Sequence, residues 1–296
     1  MARTFLVAAV LVTLAGTPVF AADLPVKARP IPPPVAAFSW TGCYVGANAG
    51  WVGGRTSYNT APSGAYLNPA GVQAPPNAAG TGLLAGDFNS AVHSYRSDNS
   101  GGEVGGQIGC NWQAGAFVAG GEADLNWTGV RNSVAASFGA FPSANPAFTV
   151  SPETESLTTR LNWLSTVRAR GGFAWNQWLL YATGGLAVGQ FDSRTSIVYG
   201  TAGTSPVFSG ASHFGSNSTT RLGWTVGGGA EYAIDSHWSL KAEYLFVDFG
   251  RWSYASPLAT PAAAIPAGYS WTTSVSAREH LARVGFNYRF SDWFAR

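Results

Sequence analysis

Residues 280–290, HLARVGFNYRF, alternate between two kinds of side chain with a period of two. Such alternation is typical of a β-strand that has one apolar face and one polar face. In a soluble protein Arg283 and Arg289 would face water, whereas in a membrane barrel they would face the interior. The orientation of the two faces therefore decides the fold and, with it, the class of function.

The N-terminal sequence MARTFLVAAVLVTLAGTPVFAADLP has the features of a secretory signal peptide. A basic start precedes an apolar run, and a small-residue cleavage site follows that run. These features predict a signal peptide at 1–21, cleaved between Ala21 and Ala22. A transmembrane anchor is the alternative, but the apolar run is too short to span a bilayer comfortably.

The composition of the chain narrows the choice of partners. Charged residues make up 11% of the chain, against a usual ~25%. The formal net charge is only +2 and the basic residues form no cluster, so no nucleic-acid partner is expected.

Proline is frequent in 22–39, which predicts an extended periplasmic lead segment; binding to the cell wall is the alternative for it. Residues 40–296 are then predicted to form a single barrel domain.

Eight alternating segments follow the lead segment, and the connections between them are in turn long and short. An up-and-down antiparallel barrel places all the short connections at one rim and all the long ones at the other, as in outer-membrane barrels. The sequence therefore predicts an all-β fold, an eight-stranded antiparallel up-and-down transmembrane β-barrel. The predicted strands lie at 40–53, 102–113, 116–128, 158–173, 178–191, 220–233, 238–249 and 277–290.

Ten charged residues lie well inside these strands, and the two in any one strand share a face. The opposite face is almost free of charge. A cation that faces lipid at mid-depth costs ~2–4 kcal/mol, so we expect the charged face to line the lumen. An eight-stranded barrel has an interior just wide enough for side chains, which predicts an ion-pair network that plugs it. The predicted members are Glu122, Asp124, Arg168, Arg170, Arg221, Glu231, Lys241, Glu243, Arg283 and Arg289.

The competing arrangement is a secreted soluble ligand-binding barrel, with its charges in water and its aromatic side chains around a pocket. Tryptophan near the strand ends argues against it, because an interfacial aromatic belt needs such residues there. The large difference between long and short connections also exceeds what a carrier needs. The tryptophans of the predicted belt are Trp40, Trp112, Trp127, Trp163, Trp178, Trp224 and Trp238.

The two cysteines and four histidines carry the remaining candidate chemistry. Cys43 and Cys110 fall on the apolar faces of neighbouring predicted strands, so a disulfide is allowed in an oxidising compartment. Two free thiols packed as small apolar residues are the alternative. The histidines show neither metal-ligand spacing nor a nucleophile–base pair, so no catalytic, cofactor-binding or metal site is predicted.

Six stretches of the chain resemble one family, the alphaproteobacterial outer-membrane immunogenic proteins. That family is related to the opacity proteins and to the OmpA-type eight-stranded barrels. The resemblance covers nearly the whole chain outside the predicted loops. The stretches are WTGCYVGANAGW (40–51), GGQIGCNWQAGAFVAGGEADLNW (105–127), LLYATGGLAVG (179–189), LGWTVGGGAEYAI (222–234), WSLKAEYLFVDFG (238–250) and VGFNYRF (284–290).

The resemblance implies an abundant protein of the cell outer membrane that supports envelope integrity and often carries a porin-family label. The expected partners are outer-membrane lipid, the barrel assembly machinery and cell-wall or external surface ligands. One feature departs from the family pattern, because SDWFAR follows the terminal aromatic Phe290 that the assembly machinery would read. A narrow pore for small solutes and a lipid-modifying enzyme remain as further alternatives, although no catalytic motif is present.

Overall fold

The computed structural model describes residues 38–64, 92–142, 149–201, 206–207, 209–260 and 269–290. The predicted signal peptide, its cleavage site at Ala21 and Ala22, and nearly all of the proline-rich lead segment lie outside the described residues. The residues after Phe290 also lie outside them. Within the part of the chain that is described, no helix is long and apolar enough to cross a membrane.

Eight long strands form one closed barrel in which every neighbouring pair is antiparallel. The predicted eight-stranded fold is therefore confirmed. Around the barrel the order is β1-β11-β10-β9-β7-β6-β3-β2. The barrel strands are β1 (Gly42–Gly64), β2 (His93–Ala114), β3 (Phe117–Phe138), β6 (Glu153–Trp175), β7 (Trp178–Tyr199), β9 (Ser212–Ala233), β10 (Trp238–Thr260) and β11 (Tyr269–Phe290).

Three two-residue strands form a separate small sheet at the rim that carries the long connections. They are β4 (Phe141–Pro142), β5 (Thr149–Val150) and β8 (Pro206–Val207). β5 pairs antiparallel with β4 and parallel with β8. This sheet therefore links the β3–β6 connection to the β7–β9 connection.

The three short connections are tight turns with clear local causes. Gly115 between β2 and β3 has φ +60°, and Asn176 between β6 and β7 has φ 53°. Glycine and asparagine are the residues that adopt this left-handed backbone region most readily. Between β9 and β10, the Asp235 carboxylate accepts hydrogen bonds from the backbone amides of His237 and Trp238 at 2.7 and 2.8 Å. All three turns lie where the sequence predicts them.

The strands are longer than predicted. Each has 22 or 23 residues, whereas about 9–11 residues cross a membrane. The extra length lies at the end that carries the long connections. For example, the segment predicted at 40–53 extends in β1 to Gly64, and the segment predicted at 277–290 begins in β11 at Tyr269. The connections at this rim are correspondingly shorter than the predicted strand bounds imply.

The outer wall of the barrel changes from apolar to polar about half-way along the strands. We call the half next to the tight turns the turn half and the half next to the long connections the loop half. In the turn half of β11, Val284 and Phe286 face outward and Arg283 faces inward. In its loop half, Arg278 is exposed outward and Val275 is buried inside. Only the turn half therefore presents the apolar outer surface that a bilayer requires.

Candidate functional site: the filled interior of the barrel

The turn half of the lumen contains a network of ion pairs. The structure brings together eight of the ten charges predicted from the sequence. Strand register places several of them directly opposite one another: Glu122 pairs with Arg168 across β3 and β6, and Glu243 pairs with Arg283 across β10 and β11. The members are Glu122, Asp124, Arg168, Arg170, Glu231, Lys241, Glu243 and Arg283.

Arg168 contacts three carboxylates of this network. Its guanidinium nitrogens lie 2.5 Å from Glu122, 2.9 Å from Asp124 and 2.9 Å from Glu243. The Nε atom donates a further hydrogen bond to the Thr166 hydroxyl at 2.8 Å. The Arg168 side chain has no exposed surface. Its planar fork of donors can serve carboxylates on three sides at once, which a lysine ammonium could not do in this geometry.

Arg283 and Lys241 complete the centre of the network. Arg283 lies 2.7 Å from both Asp124 and Glu243, so it shares two carboxylates with Arg168. Lys241 Nζ donates to Glu122 at 2.7 Å and lies 3.8 Å from Glu243. Each of the three central carboxylates therefore contacts more than one cation.

Arg170 and Glu231 extend the network toward the turn rim. Arg170 lies 2.8 Å from Glu231 and 3.4 Å from Glu122. Uncharged groups satisfy the remaining oxygens: Tyr44 Oη donates to Glu122 at 2.5 Å, and Asn287 donates to Glu231 at 2.9 Å. The network contains four cations and four anions and is neutral overall. Neutrality and dense hydrogen bonding offset the cost of removing these charges from water.

Two predicted members, Arg221 and Arg289, lie outside the network, which corrects the set derived from the sequence. Neither makes an ion pair with any described residue. Arg221 lies in the loop half, where it donates to the Arg251 carbonyl at 3.1 Å. Arg289 lies at the turn rim, where it donates to the Ser39 carbonyl at 2.6 Å. Both point inward as predicted, but their depth in the barrel differs from that of the network.

Apolar layers lie on both sides of the ion pairs. The layer at the turn rim contains Trp40, which is 2% exposed and therefore does not belong to the predicted aromatic belt. Its neighbours there are Val118, Leu179 and Tyr181. The layer on the loop side of the network is larger, and its side chains are at most 7% exposed. It includes Val52, Tyr58, Val130, Leu157, Leu161, Leu164, Phe191, Leu245, Val247, Phe249, Trp252, Tyr254, Val275 and Leu281.

Cys43 and Cys110 lie on the outer wall and not in the lumen. They occupy directly opposed positions on β1 and β2, and the structure joins them in a disulfide. The bond links neighbouring strands near the turn rim. It therefore has no part in filling the interior.

Sequence reasoning missed a cluster of inward-facing titratable groups at the loop rim. His93 Nδ1 lies 3.4 Å from Glu153 Oε1 and 3.3 Å from Glu155 Oε2. Burial raises the pKa of Glu153 to about 7, against the opposing effect of His93. The even spacing of Glu153 and Glu155 is a usable signal, but both residues lie between the strands predicted at 116–128 and 158–173, in a predicted loop.

Comparison with known proteins identifies the family. A family model described as outer membrane protein beta-barrel domain matches residues 7–290. The chain belongs to this outer-membrane β-barrel family. It is 31% identical over 280 residues to the 31 kDa outer-membrane immunogenic protein of Brucella melitensis, covering 93% of this chain and 95% of that protein. It is also 29% identical over 171 residues to the 22 kDa outer membrane protein of Rhizobium leguminosarum bv. viciae, covering 57% and 60%.

Two solved structures show a distant likeness to this chain. The protease OmpT of Escherichia coli matches with a TM-score of 0.39 at 10% identity, covering 87% of this chain and 99% of that chain. Neisserial surface protein A matches with a TM-score of 0.32 at 13% identity, covering 84% and 98%. Likenesses this distant carry no functional argument.

The family assignment settles the compartment of this outer-membrane β-barrel protein. The predicted resemblance to outer-membrane immunogenic proteins and the predicted location in the outer membrane are both confirmed. The alternative of a secreted soluble barrel is excluded by that location. The outward apolar surface of the turn half is then the surface that meets lipid.

Proposed function

We propose that this protein is a structural component of the outer membrane, with a sealed lumen, that supports envelope integrity and presents contacts at the cell surface. The single observation that carries the proposal is the filling of the lumen by three successive layers. An apolar layer around Trp40, the ion-pair network and the large apolar layer follow one another along the barrel.

The network supports a seal because its ions are held by one another and not by water. Arg168, Asp124 and Arg283 have no exposed side-chain surface. A hydrated ion entering the lumen would have to displace these paired groups, and separating buried ion pairs is strongly unfavourable. In the next layer, the Phe191 and Phe249 rings lie 4.8 Å apart. Such an apolar constriction has no groups that could replace an ion's hydration shell.

The loop half supports the second part of the proposal, contacts at the surface. Its outer wall is polar and its strands continue well beyond the length that crosses a bilayer. About twelve residues of each strand remain once a crossing of 9–11 is subtracted. The outer wall of the loop half therefore presents an extended polar surface beyond the membrane-crossing part of the barrel. External ligands are the proposed partners of this surface. The other proposed partners are the cell wall, outer-membrane lipid and the barrel assembly machinery.

The absence of enzymatic activity is part of this proposal. The charged groups of the network are held in ion pairs with one another, and the family relatives are named for their location and immunogenicity. The Glu122 and Arg168 side chains, for instance, are engaged with each other at 2.5 Å. Groups held in this way are not free to transfer protons to a substrate.

Reconstitution in planar bilayers tests the seal. We expect the full barrel to insert without steady single-channel currents, because each layer excludes hydrated ions. A general diffusion porin in the same bilayers is the positive control, and heat-modifiable gel migration verifies folding of the inserted protein. Steady currents with a defined unit conductance would overturn the sealed lumen and favour the narrow pore.

A further inference from the structure

Four arginines form an ordered array on the outer wall, just beyond the apolar band. Strand register gives two adjacent rows across β2, β1, β11 and β10. The first row is Asp98, Arg55, Arg278 and Asp248, and the second row is Arg96, Ser57, Ser276 and Arg251. All of the arginines are exposed. The basic groups therefore surround a floor of two small serines.

The array has an unbalanced positive charge. Arg55 is paired with Asp98 at 3.0 Å, and Arg278 is paired with Asp248 at 2.9 Å. Arg96 and Arg251 make no ion pair with any described residue. Four cations and two anions leave a charge of +2 on a surface of eight residues. The chain as a whole also carries a formal +2, so its surplus of positive charge equals that of this one patch.

The array also has a shape that can hold a ligand. It lines a concavity of about 800 Å³, together with Asn59, Ser94 and Ser274 from the next row. Neighbouring strands lie ~4.8 Å apart, which places the backbones of Arg96 and Arg251 ~14 Å from each other. The unpaired arginines therefore stand at the two ends of a hydroxyl- and amide-lined floor. A headgroup with phosphates at both ends of a sugar unit fits this distribution of donors.

The position of the array indicates a membrane ligand. On β1 the exposed Trp51 lies four positions closer to the turn rim than Arg55, and on β11 Ala282 lies four positions closer than Arg278. A distance of four residues is ~13 Å along a strand. The guanidinium groups thus lie in the interfacial region above the hydrocarbon, where phosphates of the outer leaflet lie. The acyl chains of a bound lipid would extend along the apolar band below.

We propose that Arg55, Arg96, Arg251 and Arg278 form a binding site for a phosphorylated glycolipid of the outer leaflet. Guanidinium groups bind phosphate through two parallel charge-assisted hydrogen bonds, which gives the site both strength and orientation. The hydroxyl groups of the serines between them can donate hydrogen bonds to sugar hydroxyls or accept hydrogen bonds from them. The site rests on the outer-membrane location and is independent of whether the lumen is sealed.

Binding of a defined lipid tests this site. The full barrel in detergent is titrated with diphosphoryl lipid A, and retained lipid is measured by native mass spectrometry. We expect the double variant Arg96→Gln, Arg251→Gln to bind about tenfold more weakly, because charge-assisted contacts to both phosphates are lost. Both side chains are exposed, so the variant is expected to fold and to keep its heat-modifiable migration.

A matched control distinguishes a specific site from nonspecific electrostatic attraction. Arg160 and Arg194 are also exposed on the outer wall, but they lie on β6 and β7, across the barrel from the array. The double variant Arg160→Gln, Arg194→Gln removes the same charge and is expected to bind like the wild type. Equal loss in both double variants would overturn the site. Displacement of the lipid by inorganic phosphate alone would overturn the assignment to a glycolipid, and so would equally strong binding of phosphatidylcholine.

A second and independent inference concerns the cluster at the loop rim. The three ligand-type atoms of His93, Glu153 and Glu155 all lie within 4.8 Å of one another. The two distances from His93 Nδ1 are 3.4 and 3.3 Å. Around a tetrahedral zinc ion with bonds of ~2.1 Å, neighbouring ligand atoms are separated by about 3.4 Å. The two separations from His93 Nδ1 therefore match those between neighbouring ligand atoms around such an ion.

The charge and surroundings of the cluster also favour a metal ion. Glu155 has no exposed side-chain surface, and its Oε1 has no hydrogen-bond partner among the described residues. A divalent cation would balance the two carboxylates. Tyr95 Oη donates to Glu155 Oε2 at 2.6 Å, and the His93 ring stacks on Phe138 at 3.9 Å. Groups of this kind orient ligands in established metal sites.

We infer that His93, Glu153 and Glu155 bind one divalent first-row transition-metal ion. An imidazole ligand favours such ions over Mg²⁺ and Ca²⁺, which prefer oxygen ligands alone. Because β3 lies between β2 and β6 in the barrel, the ion would tie together two strands that do not pair directly. Sequence spacing could not show this set, since 59 residues or more separate the histidine from the glutamates.

Isothermal titration of the full barrel with Zn²⁺ tests the second inference. We expect one equivalent to bind in excess Mg²⁺, and His93→Gln and Glu155→Gln to abolish that binding. Tyr95→Phe is expected to weaken binding ~10–100-fold, because it removes only an orienting contact. The control His237→Gln changes an exposed histidine at the opposite rim and should bind like the wild type. Absence of saturable binding to the wild type, or unchanged binding by Glu153→Gln and Tyr95→Phe, would overturn the site.

Discussion

Replacing Arg168 with methionine is expected to lower the free energy of unfolding of the barrel by about 3–5 kcal/mol, the usual cost of removing one partner from a buried ionic network. The variant leaves Glu122, Asp124 and Glu243 with one cation fewer, and none of these carboxylates can reach water in the folded state. Urea titration in lipid vesicles, followed by tryptophan fluorescence, measures the change.

Arg221 is the matched control for this experiment. It is also an inward-facing arginine, but its side-chain hydrogen bond goes to a backbone carbonyl and its guanidinium lies 5.7 Å above the Trp252 ring. Arg221→Met is therefore expected to cost about 1 kcal/mol, the usual net value of one hydrogen bond. Equal losses in the two variants would show that the network contributes nothing beyond side-chain packing.

A double variant keeps the prediction testable if Arg168→Met folds poorly. Glu243 accepts a hydrogen bond from Arg168 at 2.9 Å, so Arg168→Met with Glu243→Gln restores the balance of charge inside the lumen. We expect this variant to recover part of the loss, with a coupling of about 1–3 kcal/mol between the two sites. Additive losses would contradict a shared network.

Sequence alternation predicted the faces of the strands well, but it could not give depth. Thr225 on β9 lies opposite Gly185 on β7, and Gly185 lies opposite Arg168 on β6, so Thr225 marks the level of Arg168. Arg221 lies four positions nearer the loop rim than Thr225. Arg221 therefore faces the lumen as predicted and still cannot reach the network. Arg289 also faces the lumen, but it lies nearer the turn rim than the network does. The parity of a residue fixes its face, whereas its level depends on the stagger between strands.

The sequence did not predict the strand segments of the loop half, because the apolar and polar faces of those segments are exchanged. In β11 the apolar residues of the turn half occupy even positions, such as Val284 and Phe286. In the loop half they occupy odd positions, such as Val275 and Ala277, because the core is now inside and water is outside. One apolar face therefore cannot be followed along the whole strand, because the apolar residues change from even to odd positions where the two halves meet. The missed His93 cluster lies beyond that point.

Placing arginine at Val284 tests the lipid-facing assignment and has the second largest expected effect. Val284 is 57% exposed on the outer wall of β11 and lies in the middle of its apolar stretch. Facing hydrocarbon, an arginine there is expected to lower the free energy of unfolding in vesicles by about 2–4 kcal/mol. The guanidinium would have to leave water or distort the bilayer, and the buried network offers it no partner on this face.

The control for this substitution lies on the same strand and the same face. Thr272→Arg introduces the same side chain twelve positions nearer the loop rim, where the outer wall is polar and meets water. Surface substitutions of this kind change stability by at most ~0.5 kcal/mol. A large loss at Val284 and a negligible one at Thr272 would locate the edge of the hydrocarbon between them. Equal small losses would mean that the turn half does not face lipid, and the inward orientation of the charges would then lose its physical cause.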